Sequence, residues 1–196
     1  LGVVGSRGAN ADALDVARDD PAAPIVVNAG GHGFFRVAYG DDLRQRLTGT
    51  TLASLSTLER YSLVDDAWAA TVAGRLSAVE MLDFLEGFVD EREHAVWQAM
   101  AIALRGLGRL VDDTAMDGFR SRVRSLAAPA FRALGDPSPG ESDLTGKLRS
   151  LLTSTMGVLG GDAAIQARCR EVFDQAAADP TSVDAELTAA ATAVVA

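Results

Sequence analysis

Cysteine is nearly missing from this chain: Cys169 is the only one in 196 residues. A single thiol excludes an internal disulfide and a thiolate metal cage, and it fits a reducing compartment such as the cytoplasm. Histidine is almost as scarce, with His32 and His94 alone. A zinc hydrolase site takes about three protein ligands and a base, usually H-E-x-x-H on one helix. Neither histidine has a second histidine or cysteine at chelating spacing, so no metal ligand and no catalytic residue is expected in this sequence. No stretch reaches the roughly 18 to 20 uninterrupted apolar residues that cross a bilayer. The first residues also lack the basic-then-apolar layout of a signal peptide. Positive charge is in deficit, the formal net charge being −9. That balance argues against an electrostatic hold on nucleic acid or on an anionic membrane, both of which need a basic face.

What the chain does have is apolar content, 48% of its residues, enough to bury the core of one domain of this length. It opens at Leu1 without methionine and closes in the apolar run Ala189 to Ala196 with no glycine or asparagine cap. Both ends are therefore expected to be cuts, with fraying over the last helix. Residues 1–24 scatter glycine, aspartate and proline without a sustained period and read as loop or as remnants of a sheet. Ile25 to Asn28 and Phe34 to Tyr39 are β-branched or aromatic runs around a glycine-rich turn, which predicts a β-hairpin. A lone hairpin is marginal in water, so this one is expected to lean on helices or on a further sheet.

From Asp41 onward the period is helical. Ser56 with Glu59 and Ser77 with Glu80 have the S-x-x-E spacing of a capping box, marking two helix starts. Apolar stripes follow at three and four residues: Leu58, Tyr61, Val64, Trp68 and Thr71 or Val72, then Leu82, Leu85 and Phe88 or Val89. Further stripes are Trp97, Met100, Leu104 and Leu107; Met116, Phe119, Val123, Leu126 and Ala130; and Leu144, Leu148, Leu152 and Val158. Gly160-Gly161-Asp162 ends that last one, Ile165, Cys169, Val172 and Ala176 follow, and Asp179-Pro180 precedes a final helix from about Ser182. Gly135 to Gly140, with two prolines and two glycines, reads as a loop. The fold class is mainly α: a HEAT-like α-α superhelix of antiparallel helix pairs, preceded by the short hairpin.

Several clusters invite a chemical reading, and each has a plainer one. Gly30-Gly31-His32-Gly33 lacks the following helix that a phosphate loop needs, so it reads as a turn. Asp65 and Asp66 are adjacent and diverge by about 100° on a helix. They read as one aspartate paired with an arginine such as Arg60 and one facing solvent. Cys169, Trp68 and Trp97 fall at core positions of their helices. Arg105, Arg109, Arg120, Arg122 and Arg124 make the middle of the chain locally basic and read as a solvated face.

The run from Asn28 through Gly33, Phe34, Phe35, Arg36 and Val37 to Tyr39 resembles the N-x-x-x-x-G-[FY]-[FY]-R-V-x-Y segment of aminopeptidase N type zinc peptidases. Arg60 to Ala67 resembles that family's R-x-x-L-x-D-D-A element. Gly74 to Ser77 and Glu91 to Trp97 resemble its G-x-L-S and E-x-x-x-x-V-W stretches, in the same order. The resemblance is to the C-terminal helical cap, of the endoplasmic-reticulum-aminopeptidase type, and runs from about Ile25 to Ala196. It implies that residues 1–40 hold the end of a β-sandwich domain and residues 41–196 a cap truncated at its C-terminus. The cap covers the active site and helps to enclose the peptide substrate. The parent enzyme would use zinc, held in a catalytic domain with which this cap pairs in cis, to remove N-terminal residues from peptides. No catalytic residue transfers to this chain. Asn28, Gly33, Arg36, Tyr39, Arg60, Asp65, Asp66 and Trp97 match motif positions, with implied roles in closing the sandwich and orienting the first helix against it. Read without the resemblance, the same pattern also suits a stand-alone helical-repeat module that binds a protein through its concave face.

Overall fold

The computed structural model describes residues 22–196, so the loop or sheet remnant expected over residues 1–24 lies almost wholly outside the described residues. Nine α-helices follow one another there: α1 (Asp41–Arg46), α2 (Thr50–Ser54), α3 (Thr57–Val72), α4 (Ala78–Glu86), α5 (His94–Gly108), α6 (Met116–Leu134), α7 (Asp143–Ser154), α8 (Ala163–Ala178) and α9 (Ala185–Val195). A π-helical turn, Thr155–Leu159, continues directly from α7.

Local chemistry sets the helix starts. Ser56 and Ser77 each form both halves of a capping box, the serine accepting from the N3 amide while Glu59 or Glu80 accepts from the serine amide. Ser142, Asp162 and Asp184 cap α7, α8 and α9 in the simpler way, each side chain taking an amide that has no helical partner. Pro129 sits inside α6, where its nitrogen cannot serve the Ser125 carbonyl one turn back.

One large apolar cluster joins the helices from α2 to α7. Its centre is Trp97, 0% exposed, with Met81, Leu85, Met100, Leu104, Val123, Leu126 and Leu152 also buried. A second, smaller cluster of Cys169, Val172 and Ala191 holds α8 to α9. Helix α3 lies against α5, α5 against α7 and α7 against α9, so these four are neighbours in series. Helices α4, α6 and α8 pack onto members of that series.

Two expectations need correction. The hairpin is not formed: among the described residues there is no strand, and Ala29–Gly31 is a short 3-10 turn. Asn28, Gly30 and Gly31 all have positive φ, which coils the turn tightly. A two-stranded pair with no third strand gains too little to hold itself. The stripes are also narrower than the periodicity suggests. Leu58, Val72, Leu144 and Val158 are exposed, while Leu63, outside the expected stripe, is buried.

Candidate functional site

The residues singled out by their motif pattern meet at two polar joints. At the first, residues 25–40 are tied to α3 by side chains. The Asn28 amide closes the turn, donating from Nδ2 to the Gly33 carbonyl at 3.0 Å and accepting the Gly33 amide on Oδ1 at 2.6 Å. A Cβ at Gly33 would collide with the Phe35 ring and stand 2.9 Å from Asn28 Oδ1, so the motif glycine answers a close approach. The Gly30 amide donates to Glu59 Oε1 at 3.2 Å, so the acid that caps α3 also holds the turn. The Tyr39 hydroxyl accepts the Val27 amide at 2.9 Å, and burial pushes that phenol above its ordinary value.

Arg36 completes this joint. Its guanidinium bonds Asp65 and reaches Asp66 Oδ1 at 3.4 Å. The expected pairing of one of these aspartates with Arg60 is thus overturned. A guanidinium arriving from outside the helix sits over the seam between consecutive residues, where both carboxylates reach it despite their angular spread. Burial pushes the Asp66 carboxyl up, against the opposing pull of Arg36 and the Val37 amide.

Arg60 serves the second joint. Its Nε donates to Glu91 Oε2 at 2.7 Å, one terminal nitrogen to Oε1 at 3.3 Å, and the other to the Leu55 carbonyl at 2.6 Å. Glu91 is only 6% exposed. Its Oε1 also accepts the Arg92 and Glu93 amides, each at 2.8 Å, and its carbonyl accepts Trp97 Nε1–H at 3.0 Å. Burial pushes the Glu91 carboxyl up, but Arg60 and the two amides outweigh it and leave the group below its usual range. Trp97 is therefore core, as its stripe implied; Trp68 is half-buried, its ring lying over Gly106 of α5.

A third joint escaped the sequence reading. Arg149 on α7 bonds Glu141 at 2.5 and 2.7 Å and the Gly135 carbonyl at 2.9 Å, pinning the loop before α7. Its signal was an arginine lying directly beside Leu148 on a buried stripe, with an acid in the preceding loop. The local excess of arginine also divides: Arg122 pairs with Asp83 and Glu86, Arg124 donates to the Gly160 carbonyl, and Arg105 faces a cleft. Cys169 is buried and its thiol is pushed up by desolvation, as suits an inert packing residue.

That cleft, of about 650 Å³, lies between α5, α7, the π-helical turn and α9, with His94, Arg105, Lys147, Ser154, Val158 and Glu186 on its walls. Burial lowers the His94 imidazole, Lys147 lowers it further, and Glu186 opposes them. Among the described residues no group of histidine, cysteine and carboxylates is placed to hold a metal ion, so the donor set here does not fit zinc.

Comparison with known proteins gives this architecture a place. The ERAP1-like C-terminal domain model matches residues 24–196. Tricorn protease-interacting factor F2 of Thermoplasma acidophilum is 30% identical over 173 residues, covering 86% of this chain and 21% of that protein. Aminopeptidase M1 of Arabidopsis thaliana is 29% identical over 160 residues, covering 79% and 18%. The puromycin-sensitive aminopeptidase of Caenorhabditis elegans is 25% identical over 151 residues, covering 74% and 16%. The chain thus spans about a fifth of the length of the relatives it matches. With the family match running through every helix from α1 to α9, the chain belongs to the ERAP1-like C-terminal domain family.

Proposed function

We propose that this chain is the non-catalytic helical cap of a zinc-dependent aminopeptidase that removes N-terminal residues from peptides in the cytoplasm. The observation that carries this reading is the family match over residues 24–196, joined to relatives named as aminopeptidases that the chain covers only in part. The serial packing of α3, α5, α7 and α9 supports a HEAT-like superhelix of helix pairs whose exposed face walls a peptide cavity. Residues 25–39 would pair as strands against a preceding sandwich, which supplies the third strand that the isolated segment lacks. Residues 41–196 would be the cap proper. Asn28, Gly33, Arg36, Tyr39, Asp65 and Asp66 would fix the sandwich edge to α3, and Arg60 and Trp97 would fix α3 to α5. Zinc and the attacking water would belong to the catalytic domain paired with this cap in cis.

The test is to sequence the gene on both sides of this stretch, express the complete product and assay it on aminoacyl anilides. Chelator-sensitive turnover by the complete protein, with none by the 196-residue chain, is expected. A complete product without turnover, or turnover by the chain alone, overturns the proposal.

A further inference from the structure

Most arginines of this acidic protein are spoken for. Arg36, Arg44, Arg46, Arg60, Arg122 and Arg149 each pair with carboxylates of their own fold. Two cations on the cleft between α5, α7 and α9 are not: Arg105 and Lys147 are both exposed, line the same depression, and have no ion pair among the described residues. Among the cleft's lining residues the only acid is Glu186, in a chain that carries 27 aspartates and glutamates.

The two cations sit at opposite ends. Lys147 acts electrostatically on His94 and so stands at the start of α5, beside Glu186, which acts on the same imidazole. Arg105 lies about 16 Å further along the α5 axis at 1.5 Å per residue. It lies on the wall shared with the π-helical turn, where Val158 and Leu159 supply apolar surface. π-Helical turns are costly to keep and recur at functional positions. At about 3.3 Å per residue, with alternate side chains on one face, an extended peptide places residues four apart about 13 Å from each other, and the long arginine and lysine side chains can bridge the remainder.

We propose that this cleft binds an extended peptide segment through carboxylate side chains four residues apart, which share one face of the strand, Arg105 taking one and Lys147 the other. The inference rests on the cap reading above, and deepens it by assigning a preference for acidic side chains to the cap itself. Arg105 is the stronger anchor, since its planar fork holds a carboxylate through two bonds. Lys147 shares its end with Glu186, which repels the same carboxylate, so removing Glu186 strengthens binding of an acidic ligand.

The test uses calorimetric titration of the full 196-residue chain, which needs no turnover and so fails or succeeds apart from the peptidase assay. Three peptides serve as probes: one amidated with two glutamates four residues apart, its amidated glutamine counterpart, and the glutamine peptide with a free C-terminal carboxylate. The glutamate peptide is expected to bind about tenfold tighter than its glutamine counterpart, and to weaken as salt rises. Arg105→Gln should weaken it about fivefold, Lys147→Gln less, and Glu186→Gln should tighten it about twofold. Arg170→Gln, outside the cleft, should change nothing. Equal binding of the two amidated peptides, no binding at about 1 mM, or an unchanged affinity in a folded Arg105→Gln variant overturns the proposal. So does discrimination confined to the free terminal carboxylate, or tighter binding of a single-stranded oligonucleotide than of the acidic peptide.

Discussion

Residues 25–40 and the helices from α3 to α7 are held by different kinds of force. The N-terminal segment is fastened at points, by the Asn28 amide, the Tyr39 hydroxyl and the Arg36 guanidinium, the last of them facing solvent. The helices are fastened over area, by a continuous apolar cluster around Trp97. Point fastening fixes direction with little stabilisation, because an exposed ion pair contributes at most about 1 kcal/mol. Area fastening resists unfolding but says little about where a neighbouring domain must sit. The joint at Glu91 combines the two, since a carboxylate with four hydrogen bonds lies at the edge of the core.

The contrast is breakable. Trp97→Ala removes the largest buried side chain and should cost about 3 to 5 kcal/mol, seen as a melting midpoint lower by roughly 6 to 20 °C. Glu91→Gln strands the Arg60 guanidinium in a largely buried place and should cost about 3 kcal/mol. That loss should depend on pH. The Glu91 carboxyl is lowered in the fold, so its contribution is complete above its ordinary value of 4.5 and fades as pH falls through the lower folded value. Urea midpoints of the parent and Glu91→Gln proteins should therefore converge as pH falls from 4.5 through the lower folded value; a gap that stays constant would remove Glu91 from the account.

Gly106→Ala presses a methyl group into the Trp68 ring where α3 crosses α5. Overpacking of about 1 to 3 kcal/mol, set against alanine's helix preference of about 1 kcal/mol, leaves a net loss near 1 kcal/mol, readable in the melting midpoint. Arg36→Gln should have the smallest global effect, below about 1 kcal/mol, while amide exchange over residues 25–39 quickens. If Arg36→Gln lowered the melting midpoint as far as Trp97→Ala does, the division between point and area fastening would fail.

The features legible in the sequence are those set by neighbours along the chain. Ser56 and Ser77 with their glutamates three residues on announced α3 and α4, and the Trp97, Met100, Leu104, Leu107 stripe is buried as its spacing implies. What misled was whatever depends on a distant partner. Leu58 and Val72 keep the helical rhythm but lie on the face of α3 that α5 does not cover, so period alone overcounted the core. Asp65 and Asp66 could not reveal Arg36 as their shared partner, because it arrives from 29 and 30 residues away. Nothing in the helical period marks Arg149 as paired, because only the folded loop brings Glu141 onto it. The π-helical turn after α7 has no composition signal at all in Thr155 to Leu159.

Glu91 has a mechanical consequence. One residue offers its carboxylate to Arg60 of α3 and its carbonyl to the indole of α5, while its own carboxylate also clasps the two amides that follow it. The bend between α4 and α5 is thereby triangulated, and a triangulated corner transmits torque instead of flexing. A push delivered at α3 should therefore reach α5 as rotation of the joined pair and not as flexing of the bend before α5.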